Sequence, residues 1–358
     1  MARAPARPAA VPAAAGLTGL RPLRGRLRPR LPRLLRLLPL ALLCLLVAPG
    51  TWLRERPIAP GDGATLVMHR LDLSQPRDWP AALRVAGGWS LGSRHEGFGG
   101  YSTLLALPGN RLLSFSDRGD FLEFAAPDGP SGPTISGTVP EEPDSDNLSY
   151  DFESATRDPE TSRIWLGLEG NNAIRRLNAD KQSDGAVRRD AMAGWARNRG
   201  PEAMTRLADG RFIVLAEGSL PGDSPSPGVL FSGDPVAGAQ PVAFDFPRRG
   251  GYRPTDMAAL PDGRVIILFR KLALGLPPFG AMLAIADPAT IRPGRPWDWR
   301  PLAELAPPLP RENYEGIAVR PAADGGVDLW IIADNNQGGL QRTLLLKLHW
   351  TGLLPSRP

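Results

Sequence analysis

A pair of apolar runs separated by a turn returns about every fifty residues along this chain. The second runs of three copies, at 211–216, 264–269 and 328–333, are continuously apolar after a charged first residue, as is typical of strands buried on both faces. Asp209-Gly210 and Asp262-Gly263 lie at the turns, where glycine allows the positive φ that hairpins require. Each copy therefore predicts two antiparallel strands.

Five copies of this pattern predict one all-β domain. Their anchor positions are 102, 153, 202, 256 and 315, which are 51, 49, 54 and 59 residues apart. Short strands such as 228–231 follow each pair, and four strands per repeat of this length are typical of β-propeller blades. We predict a single β-propeller with five blades. A sixth blade that uses residues 65–73 is the alternative.

The last repeat lacks a fourth strand after the apolar run 344–350. The apolar run 83–91, which precedes the first repeat, is expected to supply that strand and close the ring.

The N-terminus has the pattern of an export signal. Residues 1–36 contain nine arginines and no acid, and residues 34–47 are apolar except for Arg36. This run is short for a membrane span, which needs about 20 residues. The positive-inside rule places everything after Trp52 outside. We predict a leader at 1–52 (signal peptide or inner-membrane anchor) and a propeller at 53–358 that is periplasmic or secreted.

Composition excludes some functions of the folded part. The chain has 42 basic and 37 acidic residues, and removing the nine leader arginines leaves 33 basic residues against the 37 acids. This mildly acidic remainder has no basic footprint for nucleic acid. Cys44, the single cysteine, lies in the leader, so the propeller has neither a disulfide nor a cysteine metal site. The excess of arginine over lysine suggests a bacterial source.

Carboxyl groups recur at two positions of the repeat. One position opens the first strand and contains Ser102, Glu153, Glu202, Asp256 and Glu315. The other ends the second strand and contains Asp117, Glu169, Glu217, the Phe269-Arg270 pair and Asp334. Because the innermost strand of every propeller blade lines the channel, equivalent positions are expected to form rings around its mouth.

Such a ring has two interpretations. Each acid caps its own turn or pairs with a nearby arginine, or several acids bind a hard cation, since clustered carboxylates need neutralisation. Oxygen ligands suit Ca²⁺ or Mg²⁺, with Ca²⁺ preferred. The expected metal ligands are Glu153, Glu169, Glu217, Asp256, Glu315, Asp334 and Asn335. The three histidines occupy none of the recurring positions, and Ser102 is interpreted as a strand residue rather than a nucleophile.

Several segments resemble the bacterial family described as having esterase-like activity of phytase. The resemblance covers about 99–350, and its most specific parts are 99–102 with 116–119, 198–203, 253–258, and 313–318 with 333–336 and 341–345. It implies a phytase-like propeller that is exported and hydrolyses phosphoric or carboxylic esters.

The predicted function is therefore metal-assisted hydrolysis of a small-molecule ester or phosphoester. The expected catalytic residues are Asp117, Arg118, Glu202 and Arg270, with Arg118 or Arg270 stabilising the anion. A non-catalytic periplasmic binding propeller and a metal-dependent lactonase are the alternatives.

Overall fold

Five antiparallel sheets follow one another in the computed structural model, which describes residues 65–95, 97–140, 150–218, 224–336 and 341–353. Strands make up 50% of the described residues and helix 2%, and the sheets are the blades of a five-bladed β-propeller. The predicted fold class is confirmed. All described residues fall within one compact unit.

The first four blades each contain four strands in chain order, with the first strand innermost. Blade 1 contains β3 (Leu105–Leu107), β4 (Arg111–Phe115), β5 (Asp120–Ala125) and β6 (Ile135–Thr138). Blade 2 contains β7 (Phe152–Arg157), β8 (Ile164–Leu168), β9 (Ala173–Leu177) and β10 (Ser183–Arg188). Blade 3 contains β11 (Pro201–Arg206), β12 (Phe212–Ala216), β13 (Ser226–Phe231) and β14 (Pro241–Phe246). Blade 4 contains β15 (Arg253–Ala259), β16 (Val265–Leu272), β17 (Phe279–Ala286) and β18 (Trp299–Leu305).

Blade 5 joins the two ends of the described chain. Its strands β19 (Asn313–Pro321), β20 (Val327–Asp334) and β21 (Leu344–Trp350) are followed in the sheet by β2 (Leu83–Ser93) and β1 (Leu66–Arg70). Strand β2 pairs antiparallel with β21, so the predicted closure by 83–91 is confirmed. Because β1 pairs with β2 as a fifth strand, residues 65–73 contribute to blade 5, and the six-bladed alternative is wrong.

Apolar side chains fill the spaces between neighbouring blades. Strand β12 is buried along its whole length, as its continuous apolar run predicts. Phe269 of blade 4 lies 5.9 Å from Phe246 of blade 3 and 4.8 Å from Trp299, measured between ring centroids. Full burial of one such side chain contributes about 1.5–3 kcal/mol. This packing holds the inner strands, and the site that they carry, in a rigid frame.

The predicted leader at 1–52 lies outside the described residues, as do residues 53–64. Within the part of the chain that the structure describes, no helix is long and apolar enough to cross a membrane.

Candidate functional site

A β-bulge at the start of the inner strands builds the first ring of side chains. In β7, Phe152 pairs with Leu168 while Ser154 pairs with Gly167, so Glu153 is one extra residue in the strand. The same shift leaves Glu202 extra in β11, Thr255 in β15 and Glu315 in β19. Blade 1 has a comparable shift. Tyr101 bridges Ser116 and Leu105 pairs with Leu113, so the pairing shifts by one residue over the stretch that contains Ser102. A bulge bends the strand and redirects a side chain, and bulges are common beside active sites.

The second ring follows the strands that return to the same end of the channel. In each blade, the residue just before the bulge pairs with a residue on the second strand. The ring member is the residue that comes directly after this partner in the chain. They are Asp117, Glu169, Glu217, Arg270 and Asp334. In blade 4 the two residues of the Phe269-Arg270 pair separate, because Phe269 is buried in the core and Arg270 faces the channel.

The register corrects the sequence alignment in blade 4. Thr255, not Asp256, is the equivalent of Glu153, Glu202 and Glu315. Both carboxyl oxygens of the buried Asp256 accept backbone hydrogen bonds, from Met257 N at 2.8 Å and from Ile317 N in blade 5 at 2.7 Å. Asp256 is not among the described residues that line the cavity, and its contacts join blade 4 to blade 5.

The two rings enclose a polar cavity of about 230 Å³ at the channel mouth, the end where the inner strands begin. Seven carboxyl groups and one guanidinium are among its described lining residues. The lining consists of Ser102, Asp117, Glu153, Glu169, Asn198, Glu202, Glu217, Arg270, Glu315, Asp334 and Asn336. Most of the predicted site residues are thus brought together.

Burial and mutual repulsion raise the pKa values of these carboxyl groups. Burial raises the pKa of Glu153 well above its usual value, and the charges of Glu315, Glu169, Asp151 and Asp117 raise it further. Burial likewise raises the pKa of Glu202 well above its ordinary value, with Glu153 the next largest cause. For Asp334, burial and the charge of Glu315 raise the pKa to about 7. The cavity therefore holds protons, or a cation in their place, near neutral pH.

Arginines counter the negative charge on the side of blades 3 and 4. Glu217 lies 2.9 Å from Arg253 and 3.6 Å from both Arg199 and Arg270. Arg270 also donates to Glu315 and, at 2.7 Å, to Oδ1 of Asn313. Burial opposes the charged form of Arg270, but the carboxylates of Glu315, Glu202 and Glu217 raise its pKa above the ordinary value.

Blade 2 carries a different group, the carboxylate trio Asp151, Glu153 and Glu169. One ligand oxygen of each side chain lies within 4.8 Å of the others. Asp151 has a φ of 121°, a value that side chains other than glycine rarely adopt. Its side chain accepts a hydrogen bond of 3.0 Å from Gly170 N, and its carbonyl accepts one of 2.9 Å from Glu169 N. These contacts hold a strained residue beside the cavity, where backbone strain often marks function.

The sequence analysis missed Asp151, because it placed the anchor of this repeat two residues later, at Glu153. The position two residues before each bulge also contributes to the site. In three blades, the residue at this position contacts a cavity residue or belongs to the trio. Arg253 contacts Glu217, Asn313 contacts Arg270, and Asp151 belongs to the trio. The polar side chains at this position in three of the five repeats were the sequence signal that could have found Asp151.

The remaining predicted residues lie at the edge of the cavity. Oδ1 of Asn335 accepts a hydrogen bond from Gly100 N at 3.1 Å, and the neighbouring Asn336 lines the cavity instead. Arg118 is not among the described lining residues and lies 3.7 Å from Asp117, with both side chains substantially exposed. The hydroxyl of Ser102, which lines the cavity, donates to the carbonyl of Phe152 in blade 2. Ser102 was expected to be a strand residue, but it lies between the bridge residue Tyr101 and the start of β3.

The trio fits a hard cation. Two oxygens that both contact a Ca²⁺ ion at 2.3–2.6 Å are separated by no more than about 5 Å, and the trio meets this limit. Its donors are oxygens only, which suits Ca²⁺ or Mg²⁺. A divalent cation would also offset the repulsion that raises the pKa of Glu153.

Five blades around a carboxyl-lined channel mouth define a β-propeller with a polar site on its axis. Residues 96–337 match the family model described as Phytase-like, esterase-like activity of phytase. The chain belongs to this family, and the resemblance noted in the sequence is confirmed.

Solved structures include similar chains at low sequence identity. Glutaminyl cyclase from Myxococcus xanthus is similar over 75% of this chain and 97% of its own, with 12% identity and a TM-score of 0.43. The PQQ-bound form of aldose sugar dehydrogenase from Streptomyces coelicolor is similar over 77% of this chain and 99% of its own, with 15% identity and a TM-score of 0.43. None of the curated proteins compared with the chain matches it.

Proposed function

We propose that this protein is an exported hydrolase of phosphoric or carboxylic esters, assisted by a divalent cation, with Ca²⁺ preferred over Mg²⁺. The observation that carries the proposal is that two members of the carboxylate trio, Glu153 and Glu169, line the same cavity as the guanidinium of Arg270. The family description, which names an esterase-like activity, supports it.

Asp151, Glu153 and Glu169 would hold the cation. When bound, it would supply Lewis-acid polarisation of an ester or phosphoryl oxygen. We assign Glu217 and Glu315 a different task, because both contact Arg270. They keep its guanidinium charged and oriented toward the cavity.

The chain's own residues bind the substrate and move its protons. Arg270 presents its planar guanidinium to the substrate anion, a geometry suited to phosphate or carboxylate oxygens. Glu202 lines the cavity and, in its ionised form, accepts a proton from the attacking water as the water oxygen bonds to phosphorus or to the carbonyl carbon. The bond to the leaving alcohol breaks, and Asp117, half-exposed at the mouth, is placed to protonate that alcohol.

Export is the second part of the proposal. It is supported by the nine arginines of residues 1–36 and the apolar run at 34–47. A periplasmic reporter fused after Trp52 is expected to be active. Activity of only a cytoplasmic reporter at the same junction would refute export.

The enzymatic proposal is tested with the purified full chain. Hydrolysis of p-nitrophenyl phosphate, bis-p-nitrophenyl phosphate, p-nitrophenyl acetate and a sugar lactone is measured with Ca²⁺, with Mg²⁺ and with EDTA. We expect turnover of at least one ester that EDTA abolishes and Ca²⁺ restores, and that falls about 100-fold or more in Glu153→Gln. Glu160→Gln, the same change at an exposed turn of blade 2, serves as the matched control and should retain full activity.

The alternatives predict different results. Bound Ca²⁺ without turnover of any substrate would indicate a binding propeller. Turnover of the lactone alone would indicate a lactonase.

A further inference from the structure

The hairpin between β16 and β17 presents an apolar tip to solvent. Among the described residues, five large hydrophobic side chains are exposed, and three of them are in this hairpin. Leu272, Leu274 and Leu276 are 81%, 98% and 91% exposed. The tip is held in place by a hydrogen bond of 2.9 Å from Ala273 N to Pro278 O and by Arg311, which donates to Leu274 O at 2.5 Å.

This leucine tip (residues 272–276) lies at the same end of the propeller as the cavity. Strand β16 reaches the mouth at Arg270, whose side chain lines the cavity, and continues directly into the tip. Whatever binds the leucines therefore lies on the side from which a substrate enters.

The tip combines exposed leucines with neighbouring cations. Lys271 precedes Leu272 and lies with Nζ 4.1 Å from the ring centroid of Tyr252, and Arg311 contacts the tip backbone. Single exposed leucines are ordinary on protein surfaces, but three within five residues mark an interaction site. Apolar side chains bordered by Lys and Arg are typical of segments that enter the interface of an anionic bilayer.

A second copy of the chain fits this tip less well. Complete burial of three leucine side chains falls short of the roughly 800 Å² that each partner buries in a stable interface. The leader predicted at 1–52 provides a separate sequence argument for a membrane, since its arginines and apolar run are typical of a membrane-directed segment.

We propose that Leu272, Leu274 and Leu276 insert into the surface of an anionic lipid bilayer, with the cavity mouth turned toward that bilayer. This contact is independent of any catalytic activity. It would add a second membrane attachment to the one expected from the leader.

The test places an environment-sensitive fluorophore at the tip of the full chain. Cys44→Ser removes the single native cysteine, and Leu274→Cys is labelled with a nitrobenzoxadiazole dye. The protein is mixed with vesicles of phosphatidylcholine and phosphatidylglycerol. We expect a blue shift of the emission, quenching by spin-labelled acyl chains, and a several-fold loss of quenching by aqueous iodide.

Two matched variants control this result. Ile135→Cys carries the label on another exposed apolar residue, in the outer strand of blade 1, and is expected to show no blue shift. Leu272→Ser with Leu276→Ser, added to the chain labelled at position 274, should remove most of the blue shift. Both serine substitutions lie at exposed positions, so folding is expected to be retained.

Three outcomes would overturn the proposal. If the protein co-floats with the vesicles but the emission of the label at position 274 stays that of a dye in water, the leader alone binds the membrane. Equal shifts at positions 274 and 135 would indicate nonspecific adsorption. A shift without vesicles, accompanied by a doubled mass in light scattering, would identify a second copy of the chain as the occupant.

Discussion

The side-chain carboxyl groups of Glu169 in blade 2 and Glu202 in blade 3 share a hydrogen bond. Two carboxylates repel, so this contact requires that one of them keeps a proton. The bond joins the carboxylate trio to the residue proposed to accept a proton from water. It also makes the metal-free state of the cavity sensitive to pH.

The first prediction is that stability without metal falls as pH rises from about 5 to 8. Burial raises the pKa of Asp334 to about 7 and raises those of Glu153 and Glu202 well above their usual values. The folded state then holds protons that the unfolded chain releases above about pH 4, and the stability they provide is lost as pH rises through the folded pKa. Each such proton contributes a slope of about 1.4 kcal/mol per pH unit.

The measurement is urea unfolding in EDTA across that range. Carboxyl groups with a lowered pKa, such as Asp128 and Asp158, change the stability only at lower pH, where protonation removes the charge that their partners bind. They therefore do not oppose this trend. Asp334→Asn should reduce the slope, and Glu160→Gln should leave it unchanged. A free energy of unfolding that rises with pH in EDTA would contradict the prediction.

The second prediction is a reversal of sign for Glu153→Gln. Other carboxyl groups surround this half-buried side chain, so in EDTA at pH 8 the neutral isostere should raise the free energy of unfolding by on the order of 1 kcal/mol. With Ca²⁺ at a hundred times its dissociation constant, the wild type should gain about 2.7 kcal/mol, and the variant should gain much less.

Thermal unfolding of both proteins with EDTA and with Ca²⁺ measures this difference. Glu160→Gln should follow the wild type in both conditions. An equal Ca²⁺ effect in the wild type and in Glu153→Gln would reject Glu153 as a ligand.

The third prediction separates Asp256 from the metal site. Asp256→Asn retains one oxygen, so one of the N–H groups of Met257 and Ile317 loses its acceptor. The expected cost is about 1–3 kcal/mol of unfolding free energy, the same with EDTA and with Ca²⁺. Calorimetric titration should give the wild-type Ca²⁺ affinity, and a large loss of affinity would return Asp256 to the metal ligands.

The fourth prediction concerns the pairing of Arg270 with Glu315. Arg270→Met leaves the buried Glu315 without its guanidinium and should cost up to about 3 kcal/mol in EDTA at pH 8. Adding Glu315→Gln removes the unpaired charge, so the double variant should recover part of that stability. A double-mutant cycle of urea unfolding measures the coupling, and purely additive effects would show that the pair does not contribute.

Much of the architecture was predictable because it depends on local patterns. The repeat spacing and the buried second strands indicated a propeller, and residues 83–91 were correctly expected to close it. The recurrence of acids in successive repeats also identified most of the cavity lining, because equivalent positions of a propeller converge on its axis. These features follow from hydrophobic periodicity and repetition, which are visible in one dimension.

Strand register, by contrast, was not visible in the sequence. Aligning acids with acids selected Asp256, whereas the bulge in β15 places Thr255 at the equivalent position. A shift of one residue changes which side chain faces the channel, and no residue type in this stretch reveals the shift. Asn336 lines the cavity in place of the predicted Asn335 for a related reason, since the backbone path after β20 places Asn336 there.

The sequence by itself determined the propeller architecture, the strand that closes the ring and the acidic character of the channel mouth, because each arises from a local pattern. The pairing of β1 with β2 was needed to exclude a sixth blade. Only the tertiary structure decided which carboxyl groups meet. Asp151 joins Glu153 and Glu169 through a left-handed backbone conformation, and Glu217 and Glu315 face Arg270. Distances between side chains depend on bulges, backbone conformation and the angles between blades, and packing sets these quantities across hundreds of residues.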